Sequence, residues 1–316
     1  MIYFDNHSTT QLDPEVLAAM MPLLTWQFAN PGSVTHVAGR EVAERIEIAL
    51  AQIANSIGGT VDELVITSGA TESNNLALLG TCFHPRQKRR KVVSMTTEHR
   101  AVLDPLSRLA RSGFEVVMLP VHTNEDTLAG MVDLQRLDDA VDEQTAIVSV
   151  MLANNEIGVI QPIAEIAKIC HRSGALLHTD ATQAVGRIVV DVDDLDVDLM
   201  SFSAHKFYGP KGVGGLFVRR RQRIVKLQSQ IVGGGQQNNF RSGTLNSPGI
   251  VGMAAALQLC QKNNSLHPIA QLETNGFLHD PVACDGVEEW RRISRLTQRL
   301  YQRLSQELEL VALNGP

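Results

Sequence analysis

The stretch Leu199-Met200-Ser201-Phe202-Ser203-Ala204-His205-Lys206-Phe207-Tyr208-Gly209-Pro210-Lys211-Gly212-Val213-Gly214-Gly215 decides how this chain is read. An apolar run gives way to a polar cluster, then to a glycine-rich turn, then to a second apolar run. That order predicts strand, turn, strand, and it puts Lys206 at the carboxyl end of a strand, where ligands of open α/β sheets bind. A lysine there can form a Schiff base with a carbonyl cofactor. Ser203 and His205 are small hydrogen-bonding groups suited to a phosphate. Taken alone, the segment is read equally well as a turn with an exposed lysine.

Outward from it, short β-branched runs alternate with helical patterns, which predicts an α/β fold with a mostly parallel sheet. Strands are expected at 63–67, 92–95, 115–119, 146–151, 176–178, 199–202 and 215–218. Helices are expected at 14–24, 38–57, 72–80, 101–112, 162–173 and 247–261. Asp13 before Pro14, and Gln161 before Pro162, read as N-caps followed by a proline at the first helical position. Gly113 and Gly174 stand where a left-handed residue ends a helix. Residues 262–286 lack periodicity and read as a loop or insertion. A last helix is expected from 287, with Ile293, Leu296, Leu300, Leu304 and Leu308 as its buried stripe. Arg291, Arg292, Arg295, Arg299 and Arg303 lie mostly off that stripe and read as a solvated face.

Composition narrows the class. The 316 residues are 44% hydrophobic and 20% charged, which excludes a disordered or collagen-like chain. With 28 Lys and Arg against 34 Asp and Glu, the net charge is −6, so general nucleic-acid binding is not expected. Four cysteines, Cys82, Cys170, Cys260 and Cys284, show no CxxC spacing, so no metal site or disulfide framework is expected. No leader is visible after Met1, and the apolar part of the longest uncharged run, 250–257, is too short to span a bilayer. A cytoplasmic protein without membrane attachment is the expectation.

Four further segments follow predicted strands. Val65 to Asn75 runs from strand through the small turn Ser68-Gly69-Ala70 to Thr71. Free backbone N–H groups at a helix start, with the Thr71 hydroxyl, make an anion seat; an ordinary capped helix is the plainer alternative. In His178-Thr179-Asp180-Ala181-Thr182-Gln183, a buried Asp180 facing a ring nitrogen would keep it protonated, as a pyridine electron sink requires. Gln183 could donate to a phenolic oxygen, while a capping role for Asp180 is the common alternative. His99, in Thr97-Glu98-His99, could stack on a flat cofactor and move protons near neutral pH. Asn155, in Asn154-Asn155-Glu156, offers an amide. Together these suit pyridoxal 5'-phosphate, PLP.

With these segments, Phe4-Asp5-Asn6, Asn30-Pro31-Gly32-Ser33 and Arg241-Ser242-Gly243-Thr244 in order, the chain resembles the cysteine desulfurases. These are PLP enzymes of the class V aminotransferase group that supply sulfur for iron–sulfur clusters and thiolated tRNA. The resemblance implies the PLP-dependent transferase fold type I: a mostly parallel central sheet with helices on both faces, and a small C-terminal domain. A large PLP-binding domain over 1–261 and the start of an incomplete small domain over 262–316 are expected. By resemblance, Lys206 carries PLP, Asp180 pairs with the pyridine nitrogen, Gln183 bonds the ring oxygen, and His99 stacks and acts as acid and base. Ala70, Thr71, Ser203 and His205 would hold the phosphate, Thr244 would reach the phosphate of the partner subunit in a homodimer, and Asn155 would lie near the ring. Lys206 and His99 are the expected catalytic residues. L-Cysteine would yield L-alanine and an enzyme persulfide, passed to a sulfur-acceptor or iron–sulfur scaffold protein.

The chain departs from that pattern in places. The family's sulfur-accepting cysteine and its carboxylate-gripping arginine lie downstream of the segment resembling Leu313-Asn314-Gly315, so poor cysteine turnover by this chain is expected, and the helix over 287–310 is expected to expose much of its apolar stripe. Cys170 and Cys260 fall in helical stretches and read as packing residues; Cys82 and Cys284 fall in less regular ones and could be reactive. Residues 236–240 lack the family's usual His-bearing pattern. Two alternatives stand beside the desulfurase reading. One is a truncated, inactive paralogue serving as a PLP-binding dimer or scaffold partner. The other is a selenocysteine lyase or another class V aminotransferase.

Overall fold

The computed structural model describes residues 2–123, 128–262, 288–309 and 311. In chain order the helices are α1 (Pro14–Leu24), α2 (Val37–Asn55), α3 (Ala70–Cys82), α4 (Arg100–Arg111), α5 (Leu134–Ala140), α6 (Ile163–Arg172), α7 (Ser247–Lys262) and α8 (Glu288–Glu307). The strands are β1 (Leu64–Thr67), β2 (Lys91–Met95), β3 (Glu115–Leu119), β4 (Thr145–Ser149), β5 (Leu176–Asp180), β6 (Leu199–Ser203) and β7 (Gly214–Val218).

The strands form one sheet in the order β1-β7-β6-β5-β4-β2-β3. Every pair from β6 to β3 is parallel, and β7 alone runs against its neighbours β6 and β1. The connection explains the reversal. Residues 204–213 form a tight turn with no crossover helix, and a parallel pairing needs a crossover of a dozen or more residues.

Alternate residues of each strand feed two apolar layers. Met95, Val148, Met200, Phe202 and Phe217 pack with Ile46 of α2, Ile166 of α6 and Met253 of α7. Val92, Ile147, Leu199, Leu216 and Val218 pack with Leu76 of α3 and Leu106 of α4 on the other side. Both faces are covered, so the strands read as continuous apolar runs rather than alternating ones. The mostly parallel sheet with helices on both faces that the sequence leads one to expect is present.

Local signals are mostly borne out. Asp13 accepts from the Glu15 N–H and caps α1, and Gly113 and Gly174 adopt φ of +84° and +67° after their helices. Gln161 does not cap α6. Pro162 takes the capping position, while the Gln161 side chain accepts from the Val132 N–H and donates to the Gly130 carbonyl. Helix α5 escapes the periodicity argument because a seven-residue helix presents too short a stripe; its signal is Asp133, which caps it. Gln237, in the segment lacking the family's histidine, closes the open edge of β1. Its side chain accepts from the Ile66 N–H and donates to the Ile66 carbonyl, satisfying two groups that an edge strand leaves unpaired.

Two expectations need correcting. Cys82 ends α3 as a buried residue, its thiol pushed up to about 12 by burial; it is not a reactive loop cysteine. The α8 stripe is not buried: Ile293, Leu296, Leu300, Leu304 and Leu308 are 39–60% exposed, which corrects the buried-stripe reading and agrees with the exposure expected from the resemblance. The expected loop at 262–286 lies, after its first residue, outside the described residues, with Cys284 and the 313–316 turn. No helix among the described residues is long and apolar enough to cross a membrane.

Candidate active site

The carboxyl ends of β1, β2, β4, β5 and β6 converge on one cleft of about 690 Å³. It is lined by Ala70, Thr71, His99, Asn155, Asp180, Gln183, Ser203, His205 and Lys206, nine of the ten residues expected to touch a cofactor. The tenth, Thr244, lies apart on an exposed segment beside Leu23, Phe28 and Asn30.

Helix α3 begins at this cleft without a side-chain cap. Its first ladder bond is Ser73 N–H to the Gly69 carbonyl, so the N–H groups of residues 70–72 lie outside the helix ladder at its positive end. Gly69 has φ +147°, a conformation side chains rarely adopt. A Cβ on Gly214 would lie 2.7 Å from the Gly69 Cα, so two glycines let the β7 start and the β1–α3 turn approach. Across this seat stand Ser203 and His205. Burial, then the charges of Lys206 and Lys211, lower the His205 pKa and favour its neutral ring.

Asp180 ends β5 and is 4% exposed. Its Oδ2 accepts from Asn74 Nδ2 at 2.7 Å and its Oδ1 from the Thr182 N–H at 3.0 Å. No helix follows Asp180, so the capping alternative does not hold; the Thr182 bond is a local turn contact, one of two that fix the carboxylate at the cleft wall. Below it on the same strand face, His178 is fully buried between Ser149 Oγ at 2.8 Å and Ser201 Oγ at 3.0 Å. Burial holds that ring neutral, with its pKa lowered to about 4.

Lys206 follows β6 in a single 3-10 turn. Burial and the Arg187 charge lower its pKa, partly offset by Asp180 and Asp5. Its Nζ donates to the carbonyls of His7 at 2.7 Å and Ser8 at 2.9 Å. The turn is held by Thr10, 2% exposed, whose hydroxyl donates to the His205 carbonyl and accepts from the Tyr208 N–H. His99 caps α4, its Nδ1 accepting from the Ala101 N–H at 3.0 Å, so a neutral ring carries its proton on Nε2. Glu72, at the α3 start, is ion-paired with Arg241 at 2.8 Å. Burial opposes its ionisation, but Arg241 and Ser68 lower its pKa on balance.

Sequence reasoning missed Thr10, Asn74 and Glu98. A buried amide or acid inside a helix or turn carries no periodic signal; only proximity across the fold shows its use.

The sheet and the cleft at its carboxyl edge define a chain of the PLP-dependent transferase fold type I. Residues 2–276 match the class-V aminotransferases, and the chain belongs to that family. It is 44% identical over 314 residues to "Cysteine desulfurase IscS" of Anaeromyxobacter dehalogenans, covering 99% of this chain and 71% of that one. It is 43% identical over 314 residues to "Cysteine desulfurase" of Rattus norvegicus, covering 99% of this chain but only 63% of that one. A solved structure titled "NIFS-LIKE PROTEIN" superposes with a TM-score of 0.78 at 39% identity, over 83% of this chain and 70% of that one.

Proposed function

We infer that this chain is the PLP-binding part of a cysteine desulfurase, acting on L-cysteine to give L-alanine and a persulfide. One observation carries the reading: Lys206 and Asp180 line the same cleft as the uncapped start of α3. A primary amine, a buried carboxylate and an anion seat are the three groups an aldehyde-bearing pyridinium phosphate needs. The fit is supported by two glycines at the seat: Gly69, whose φ of +147° side chains rarely adopt, and Gly214, where a Cβ would collide with the Gly69 backbone. When bound, PLP supplies an electron sink for charge at the substrate α-carbon.

The chain's own residues do the rest. Residues 70–72, Ser203 and His205 hold the phosphate, and Asp180, oriented by Asn74, keeps a proton on the ring nitrogen. Gln183 donates to the ring oxygen and His99 covers the ring face. The depressed pKa of Lys206 leaves more of its amine unprotonated near neutral pH, able to bond the cofactor and to take and return the α-proton. Cys82, Cys170 and Cys260 are poor sulfur acceptors, because each is buried and burial raises its thiol pKa. The homodimer, with Thr244 reaching the partner's phosphate site, the sulfur-accepting protein and a cytoplasmic location belong to the same reading, carried by the resemblance.

The test is reconstitution of the purified chain with PLP, followed by borohydride reduction and peptide mapping. A reduced adduct on Lys206, absent from Lys206→Ala, is expected. An adduct that survives in Lys206→Ala overturns the assignment. Alanine released from L-cysteine compared with L-selenocysteine separates desulfurase from selenocysteine lyase.

A further inference from the structure

We propose that Glu98 is the positioning residue of His99, its carboxyl group stapling the 96–99 turn to residues 151–155 as an uncharged acid. The inference rests on the PLP reading of the cleft.

Glu98 precedes the α4 cap and is 5% exposed. Its Oε1 accepts from the Met151 N–H at 2.7 Å, while its Oε2 is buried without a hydrogen-bond partner. A second bond runs beside the first: Asn154 Nδ2 donates to the Thr97 carbonyl at 3.0 Å. Asn154 Oδ1 in turn accepts from the N–H groups of Glu156 and Ile157, so the far side of the staple is itself braced. Because His99 is already bonded to α4 through Ala101, the staple relates the His99 ring to the wall that carries Asn155. Two cleft residues on the segments that follow β2 and β4 are thus located by one buried carboxyl.

The charge state follows from the surroundings. Among the described residues Glu98 has one N–H donor and no ion pair, and the ionisable group acting on it is the carboxylate of Asp180. A second buried carboxylate there would be desolvated and repelled. Burial, reinforced by Asp180, accordingly raises the Glu98 pKa well above its ordinary value. Glutamine at this position would keep the size and the Oε1 acceptor; leucine would keep the size but leave the Met151 N–H unpaired.

The experiment compares Glu98→Gln and Glu98→Leu with wild type. Infrared spectra of the apoproteins at neutral pH should show a protonated-carboxyl band in wild type that Glu98→Gln lacks. No such difference overturns the uncharged state, whatever the cofactor does. PLP titration of wild type alone tests the cofactor reading separately. In the same titration Glu98→Leu should bind PLP about tenfold more weakly, the loss of one buried hydrogen bond, and Glu98→Gln should restore wild-type affinity. His99→Ala should add little further loss in a Glu98→Leu background, since a displaced ring has nothing left to lose. Affinities that multiply, or a Glu98→Gln as weak as Glu98→Leu, overturn the proposal. Should Glu98→Leu not fold, the infrared comparison and the Glu98→Gln titration still decide it.

Discussion

Lys206 and Gln183 donate to one acceptor, the backbone carbonyl of His7, at 2.7 and 2.9 Å. Lys206 also reaches the Ser8 carbonyl. The N-terminal segment thus occupies hydrogen-bonding directions of two side chains read as cofactor contacts, and a ligand that takes both must release it. Removing the amine should loosen the same segment. Lys206→Ala is expected to speed backbone amide exchange across residues 5–9 in the apoprotein, read by mass spectrometry. Unchanged exchange there would mean that Gln183, His205 and Thr10 hold the segment without the amine.

Asn74 should matter to the cofactor although it does not line the cleft. It donates to Asp180 Oδ2, and its own Oδ1 is buried without a partner. Asn74→Leu keeps the volume but removes the donor. A bond to a buried carboxylate contributes roughly 1.5–3 kcal/mol, so PLP affinity should fall tenfold or more. Equal titration curves for variant and wild type would show that the Thr182 N–H suffices.

Arg241 and Glu72 should behave as a unit. Glu72 is a carboxylate in the first turn of α3, beside the proposed phosphate seat, and Arg241 offsets its charge at 2.8 Å. Arg241→Ala should weaken PLP binding by about tenfold, of the order expected when a partly buried ion pair loses one member. Adding Glu72→Gln should recover part of that loss, because the repulsive charge goes too. A double variant weaker than the single would assign Arg241 a direct contact instead.

His178 and Glu98 should pull acid stability in opposite directions. The His178 pKa is about 4 in the fold against an ordinary 6.5, so its contribution is complete above pH 6.5 and lost as pH falls towards 4. Glu98 is raised well above its ordinary 4.5, so its contribution is complete below pH 4.5 and lost as pH rises through its folded value. Between pH 4.5 and 6.5 the two slopes oppose each other, each at most about 1.4 kcal/mol per pH unit. Relative to wild type, His178→Gln should lose stability as pH rises across that window, and Glu98→Gln should gain it. Urea midpoints of the apoproteins at several pH values check both signs, and parallel curves would contradict them.

Lys206, Asp180 and Thr71 could be singled out because strand ends leave a readable mark: an apolar run that stops at a polar or glycine-rich turn. Helix α3 was legible by the same token, its uncapped start following directly from Ser68-Gly69. The exposed α8 stripe shows the limit of that logic. Ile293, Leu296, Leu300 and Leu304 carry the spacing of a buried face, yet spacing says only that a face is apolar, not that anything covers it. The capping role of Gln161 failed for a related reason. Its amide is drawn to backbone groups of residues 130 and 132, whose nearness no local pattern announces.

From the sequence alone came the alternation of strand and helix, the direction of the sheet, the lysine, the aspartate and the anion seat. These follow from local chemistry: periodicity, turn residues, and polar groups placed where strands end. Tertiary structure alone decided that Asn74 would hold Asp180, that Glu98 would staple the His99 turn to Met151, and that the His7 carbonyl would meet Lys206. Each of those joins residues separated by 53 to 199 positions, and a contact across such a span is set by how the two apolar layers close on the sheet.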